Sequence, residues 1–223
     1  MFLAMLPLTF VATPAVGQDV QGWEQLNVIV PLAPSVRVTL EQIARVSDRQ
    51  GGPYTTKLGA LLGLQVAPGV ELGFGYRHVG FHSENLAANE NRFRQQVVIA
   101  RGRFAGRLRL DERFNPLGSE IGFRVRPLLR YNLPTRRERV VLFVSHESFI
   151  LPNSTAWGQR AGYERMRNIV GVTFPIGPLV MADLGYLNQY RIARGGARGQ
   201  MDNAVTIQLT INLGALSVAA LND

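Results

Sequence analysis

From about residue 20 to residue 213 the chain repeats one pattern. Extended stretches of roughly 10–13 residues alternate apolar and polar side chains, and Gly, Pro, Asn or Ser breaks separate them. The clearest stretch is the last. Val205, Ile207, Leu209, Ile211 and Leu213 point one way, and Thr206, Gln208, Thr210 and Asn212 the other. Extended segments are expected over 20–31, 35–46, 54–66, 70–83, 92–104, 106–114, 120–132, 139–150, 160–174, 178–190 and 202–213. Ala33-Pro34-Ser35, Ala67-Pro68-Gly69, Ala105-Gly106 and Pro175-Ile176-Gly177 read as short turns, and 133–138 as another. Stretches 47–53, 84–91, 151–159 and 191–201 read as longer polar loops. Short and long connections in turn are the mark of an up-and-down barrel with short periplasmic turns and long external loops. No repeated consensus accompanies the period of about 18–20 residues, which argues against a solenoid.

The polar face is heavily charged. Ile121, Phe123, Val125, Leu129 and Tyr131 oppose Arg124, Arg126, Arg130 and Asn132. Leu108, Leu110 and Phe114 oppose Arg107, Arg109, Asp111 and Arg113. Such a face suits the lumen of a barrel whose apolar face meets lipid. A soluble β-sandwich with a charged outer surface is the alternative. Trp23, Tyr54, Phe81, Phe114, Tyr131, Phe149, Trp157, Phe174 and Tyr190 stand near segment ends, where a membrane interface favours aromatic rings. Eleven segments is an odd count, and a barrel with both termini in the periplasm needs an even one. Either the first segment lies outside the wall, or one is missed or split, so 10 to 12 strands are expected.

Composition adds a location. Residues 1–17, MFLAMLPLTFVATPAVG, read as a signal peptide with small residues before a cut, although no Lys or Arg precedes the apolar run. Residues 18–223 then form one domain. The absence of cysteine excludes disulfides, thiolate metal sites and a lipid anchor on Cys. The net charge is +8, and Lys57 is the only lysine among 24 basic residues. The arginines stand singly at alternate positions rather than in a block, which disfavours nucleic acid and favours pairing with carboxylates across a lumen. Outer arginines suit lipopolysaccharide phosphates.

Several phrases occur together in order: Trp23, Glu41 to Arg45, Gly75-Tyr76-Arg77, Arg92 to Gln96, Arg107 to Arg113, Arg124-Val125-Arg126, Glu147-Ser148-Phe149, Asn153, and Leu184 to Gln189. Their order and spacing resemble the bacterial family labelled domain of unknown function 2490, over nearly all of the mature chain. The resemblance implies a secreted, barrel-like envelope protein and carries over no catalytic residue.

Three constellations could carry chemistry. His146 and Ser148 share a strand face, while Glu147 points to the other, so this tripeptide cannot make a catalytic triad from its own residues. His78, His82 and Glu84 could hold a metal only with help from a neighbouring strand; no metal and no cofactor is expected. Gly73 and Gly75 begin a G-x-G pattern, but His78 stands where its third glycine belongs. The strongest candidate is a lumen charge ladder: Arg107, Arg109, Asp111 and Arg113 beside Arg124, Arg126 and Arg130, with Glu41, Glu147, Glu164 and Asp183 as partners. Full pairing predicts a plugged interior; imperfect pairing predicts a narrow anion-favouring pore.

The expectation is an all-β, antiparallel up-and-down transmembrane barrel in the bacterial outer membrane. It has an Arg-rich lumen and is structural or weakly pore-forming. Its partners are outer-membrane lipids, lipopolysaccharide and, during insertion, the barrel-assembly machinery. The rivals are a lipid hydrolase on the same wall and a soluble periplasmic binding sandwich.

Overall fold

The computed structural model describes residues 19–137 and 139–214. The expected signal peptide lies outside the described residues. Eleven strands follow one another: β1 (Asp19–Ala33), β2 (Val36–Ser47), β3 (Gly52–Ala67), β4 (Val70–Phe81), β5 (Glu90–Arg101), β6 (Phe104–Phe114), β7 (Gly122–Pro134), β8 (Val141–Leu151), β9 (Gly162–Pro175), β10 (Val180–Arg191) and β11 (Gln200–Asn212). Among the described residues no helix is long and apolar enough to cross a membrane.

Each strand pairs with its sequence neighbours, and β1 pairs with β11, so one sheet closes into a barrel. A second sheet is absent among the described residues, which overturns the sandwich alternative. All eleven described strands belong to the closed ladder, which leaves none of them for a facing layer. Every ladder is antiparallel except the seam, where β1 runs parallel to β11 with Leu26 beside Leu209. Eleven strands fall within the expected 10 to 12; what changes is the explanation of the odd count. The first segment belongs to the wall, and none is missed or split. An odd count closes because the seam is parallel, which puts the two ends of the wall on opposite rims. Asp19 stands beside the long connections and Asn212 beside the short ones.

The alternation sorts side chains by face. Arg109 and Arg126 point into the barrel and are buried, while Leu108, Leu129 and Val205 point out and are each more than half exposed. The β5–β6 turn differs from expectation. It falls at Gly102-Arg103, not Ala105-Gly106, because Gly102 supplies the φ of 60° that the reversal needs, while Ala105 is packed inside. Gly75 lies in the β4 wall where a Cβ would sit 2.4 Å from the carbonyl oxygen of Ala60. It permits close approach of β3 rather than binding phosphate.

Candidate functional site: a charged interior and a polar row on the outer wall

The interior is filled by ion pairs. Among the described residues, twelve buried basic side chains face eight buried carboxylates. With cations in excess, carboxylates are shared. Glu147 takes Arg107 at 2.6 Å, Arg126 at 2.9 Å and Arg167 at 3.3 Å. Asp111 holds Arg124 at 2.7 Å and Arg126 at 3.5 Å. Asp183 takes Arg130 at 2.7 Å. Arg109 donates to the Gln96 side-chain oxygen at 3.0 Å. Some of these contacts join neighbouring strands, as Asp111–Arg124 does on β6 and β7, and others cross the barrel, as Arg130–Asp183 does from β7 to β10.

The other ladder residues sit apart. Glu41 binds Arg77 at 3.0 Å and also Arg94, on β4 and β5 rather than on β6 and β7. Arg113 pairs with Glu90, and Glu164 with its neighbour Arg165, both near the long-loop rim. Glu90, Glu71 with Arg37 at 2.6 Å, and Arg167 were not singled out from sequence. Their alternation with apolar neighbours was the available signal.

Aromatic faces take up further positive charge. The Arg45 guanidinium lies 3.6 Å from the Trp23 ring centre, and Arg130 lies 3.7 Å from that of Phe143. Trp23, Phe143, Ile169, Leu187 and Ala204 form an apolar knot inside the barrel. A void of only about 20 Å³ remains beside Trp23. Wider vestibules open at the two ends. One of about 570 Å³ lies under the long loops by Glu90, Arg113 and Arg191, and one of about 500 Å³ lies by Arg130, Asp183 and Asn212.

The outer wall is mostly apolar; its polar side chains include Glu24, the bonded pair Gln95–Glu112, His78 with Asn91, and a row on β8 to β11 toward the long-loop end. Strand register places Leu129, His146, Asn168, Asn188 and Asn203 side by side, and Tyr131, Val144, Val170, Tyr186 and Val205 in the row below. His146 Nδ1 lies 2.7 Å from Asn168 Oδ1, and His146 Nε2 lies 3.0 Å from Ser148 Oγ. Tyr163 brings its hydroxyl 2.7 Å from the same Ser148 Oγ. Tyr163 reaches the outer face because β9 carries a bulge opposite Phe149 and Ile150, which turns residue 163 out of the inward parity of Arg165 and Arg167. Across the other edge, the β7–β8 ladder is interrupted between Val125 and Leu128, where Pro127 has no N–H to give. Glu147 points inward as expected. The further partners of His146 and Ser148, Asn168 and Tyr163, come from β9, contacts that depend on register and were not visible along the chain.

The three histidines gather no metal site: His78 bonds Asn91 at 2.8 Å and His82 bonds Thr56 at 2.7 Å. Among the described residues no cluster of three or more metal-ligating side chains exists.

The chain is similar to a solved structure presented as "Unveiling the Mechanism Behind the in-meso Crystallization of Membrane Proteins", with 14% identity and a TM-score of 0.42 over 82% of this chain and 79% of that one. It is also similar to an uncharacterized protein of Methylorubrum extorquens, 32% identical over 160 residues, which covers 67% of this chain and 69% of the relative. A family model, protein of unknown function DUF2490, matches residues 20–200. With that match spanning most of the barrel wall, the chain belongs to the DUF2490 family.

Proposed function

We propose that the protein is an outer-membrane β-barrel, delivered by secretory export, whose interior is closed rather than conducting. The observation that carries this reading is the division of side chains between faces: guanidinium–carboxylate pairs inside, and a predominance of exposed aliphatic and aromatic side chains outside. In water that surface would far exceed the few hundred Å² of contiguous apolar surface that soluble monomers carry. Against acyl chains it is the favourable surface. The dimensions agree. Strands of 11 to 16 residues, at about 3.3 Å per residue and a tilt of about 40°, rise roughly 28–40 Å, enough to cross a hydrocarbon core of about 30 Å.

In this orientation the short turns face the periplasm and the long loops face outward. The partners are outer-membrane lipids and lipopolysaccharide, whose phosphates suit the exposed Arg160 and Arg198 of the long loops. Insertion is the work of the barrel-assembly machinery. Support for closure comes from the shared carboxylates and from the Trp23 knot, beside which the cavity is about 20 Å³.

Fractionation tests the location. Recovery with the outer membrane and a detergent requirement are expected; recovery in osmotic-shock fluid without detergent contradicts the reading. Purified protein in planar bilayers is expected to be electrically silent. Steady anion-selective conductance would contradict the closed interior.

A further inference from the structure

We propose that the outer wall carries a serine-hydrolase site for acyl esters, with Ser148 as nucleophile, His146 as general base and Asn168 as positioning residue. The lipid part of this inference rests on the membrane reading above; the catalytic part does not.

The protons order themselves. The Asn168 Oδ1 atom can only accept, so the His146 nitrogen 2.7 Å away carries the proton and donates. The other ring nitrogen, Nε2, is then an acceptor, and the Ser148 hydroxyl 3.0 Å away donates to it. Its proton being committed, Ser148 Oγ accepts from Tyr163. A serine hydroxyl donating to an imidazole that is itself oriented by an acceptor is the arrangement nucleophilic acyl transfer requires.

Other polar contacts in this region lack that order. Tyr186 and Asn188 both donate to Asn203, with no imidazole among them. His78 repeats the imidazole–amide half with Asn91, but residue 80, two along on the same face, is glycine. His78 therefore has no nucleophile and supplies an internal control.

The surroundings fit an acyl ester. A groove of about 490 Å³ on the outer wall is lined by Leu129, His146 and Asn168 at one level and by Val144 and Val170 on the short-turn side, with Ser148 just beyond its long-loop edge. Ser148 stands three residues from the end of β8, or about 10 Å along the strand. Ser148 lies on the long-loop side of the groove, which runs from there toward the short-turn end. An acyl chain laid in it brings its ester carbonyl to Ser148.

The chemistry closes. Ser148 Oγ attacks the ester carbonyl carbon and its proton passes to His146 Nε2. Tyr163, already at the nucleophile, is the hydroxyl placed to turn toward the oxyanion. The ester C–O bond breaks, and the leaving alcohol takes the proton from His146. Water then attacks the acyl-serine, gives a proton to His146, and releases the carboxylic acid as Ser148 Oγ recovers that proton. Ester and water become acid and alcohol.

The test uses the full mature chain folded in detergent micelles. A fluorophosphonate probe should add its mass to the peptide containing Ser148. Para-nitrophenyl butyrate and a fluorescent phosphatidylcholine in mixed micelles should both be hydrolysed. Ser148→Ala and His146→Ala should lower release by about 100-fold or more. Asn168→Ala should lower it, and Asn168→Asp, which still accepts from Nδ1–H, should restore it. His78→Ala should change nothing. Absence of labelling and of release from both substrates, in protein whose circular dichroism reports an intact barrel, would overturn the proposal. Labelling of Ser148 in protein that needs no detergent would leave the catalytic site standing and remove the membrane reading instead.

Discussion

Glu147 holds three guanidinium groups inside the barrel and is 2% exposed. Removing one partner of a buried ion pair costs about 3–5 kcal/mol, because the remaining charge stays desolvated. Glu147→Ala is therefore expected to lower the urea midpoint of the detergent-folded barrel clearly, and Glu147→Gln, which retains an acceptor oxygen, to lower it less. An unchanged midpoint in both would mean that the interior network contributes nothing to stability. At this scale the sequence was informative about facing and poor about partners. The two-residue period assigns Arg109 and Arg126 to one side of the strand and Leu108 and Leu129 to the other, as found. It cannot say that Glu41 meets Arg94, 53 positions away, or that Asn168 meets His146. Those contacts exist only once strand register exists.

Among the elements, the β1–β11 seam stands out because it is the one parallel ladder in an otherwise antiparallel wall. Parallel pairing is slightly less stable per residue. Hydrogen exchange followed by mass spectrometry should give faster exchange in peptides from β1 and β11 than in β6 and β7, with equal protection at the seam as the contrary result. Strand positions were legible because Gly and Pro punctuate the alternation. Two features were not. The β5–β6 reversal needed the left-handed backbone of Gly102, whereas Ala105-Gly106 offered the same composition within a strand. The β9 bulge needed the pairing of Ile150 with Tyr163, which no local pattern encodes.

For the molecule as a whole, alternation with a charged face foretold a closed sheet, but not how an odd number of strands would close it. The parallel seam resolves that and sends the two ends of the wall to opposite rims. It also makes the outer face continuous around the full circumference, and both the membrane reading and the ester-hydrolase site stand on that face. The chain has no cysteine, so single spin labels can be placed at will on the barrel reconstituted in lipid. Labels at positions 108, 129 and 205 should be relaxed by oxygen, which concentrates in the acyl layer, and shielded from a water-soluble nickel chelate. If the nickel chelate reaches those three positions more readily than oxygen does, the aliphatic side chains face water and the account fails.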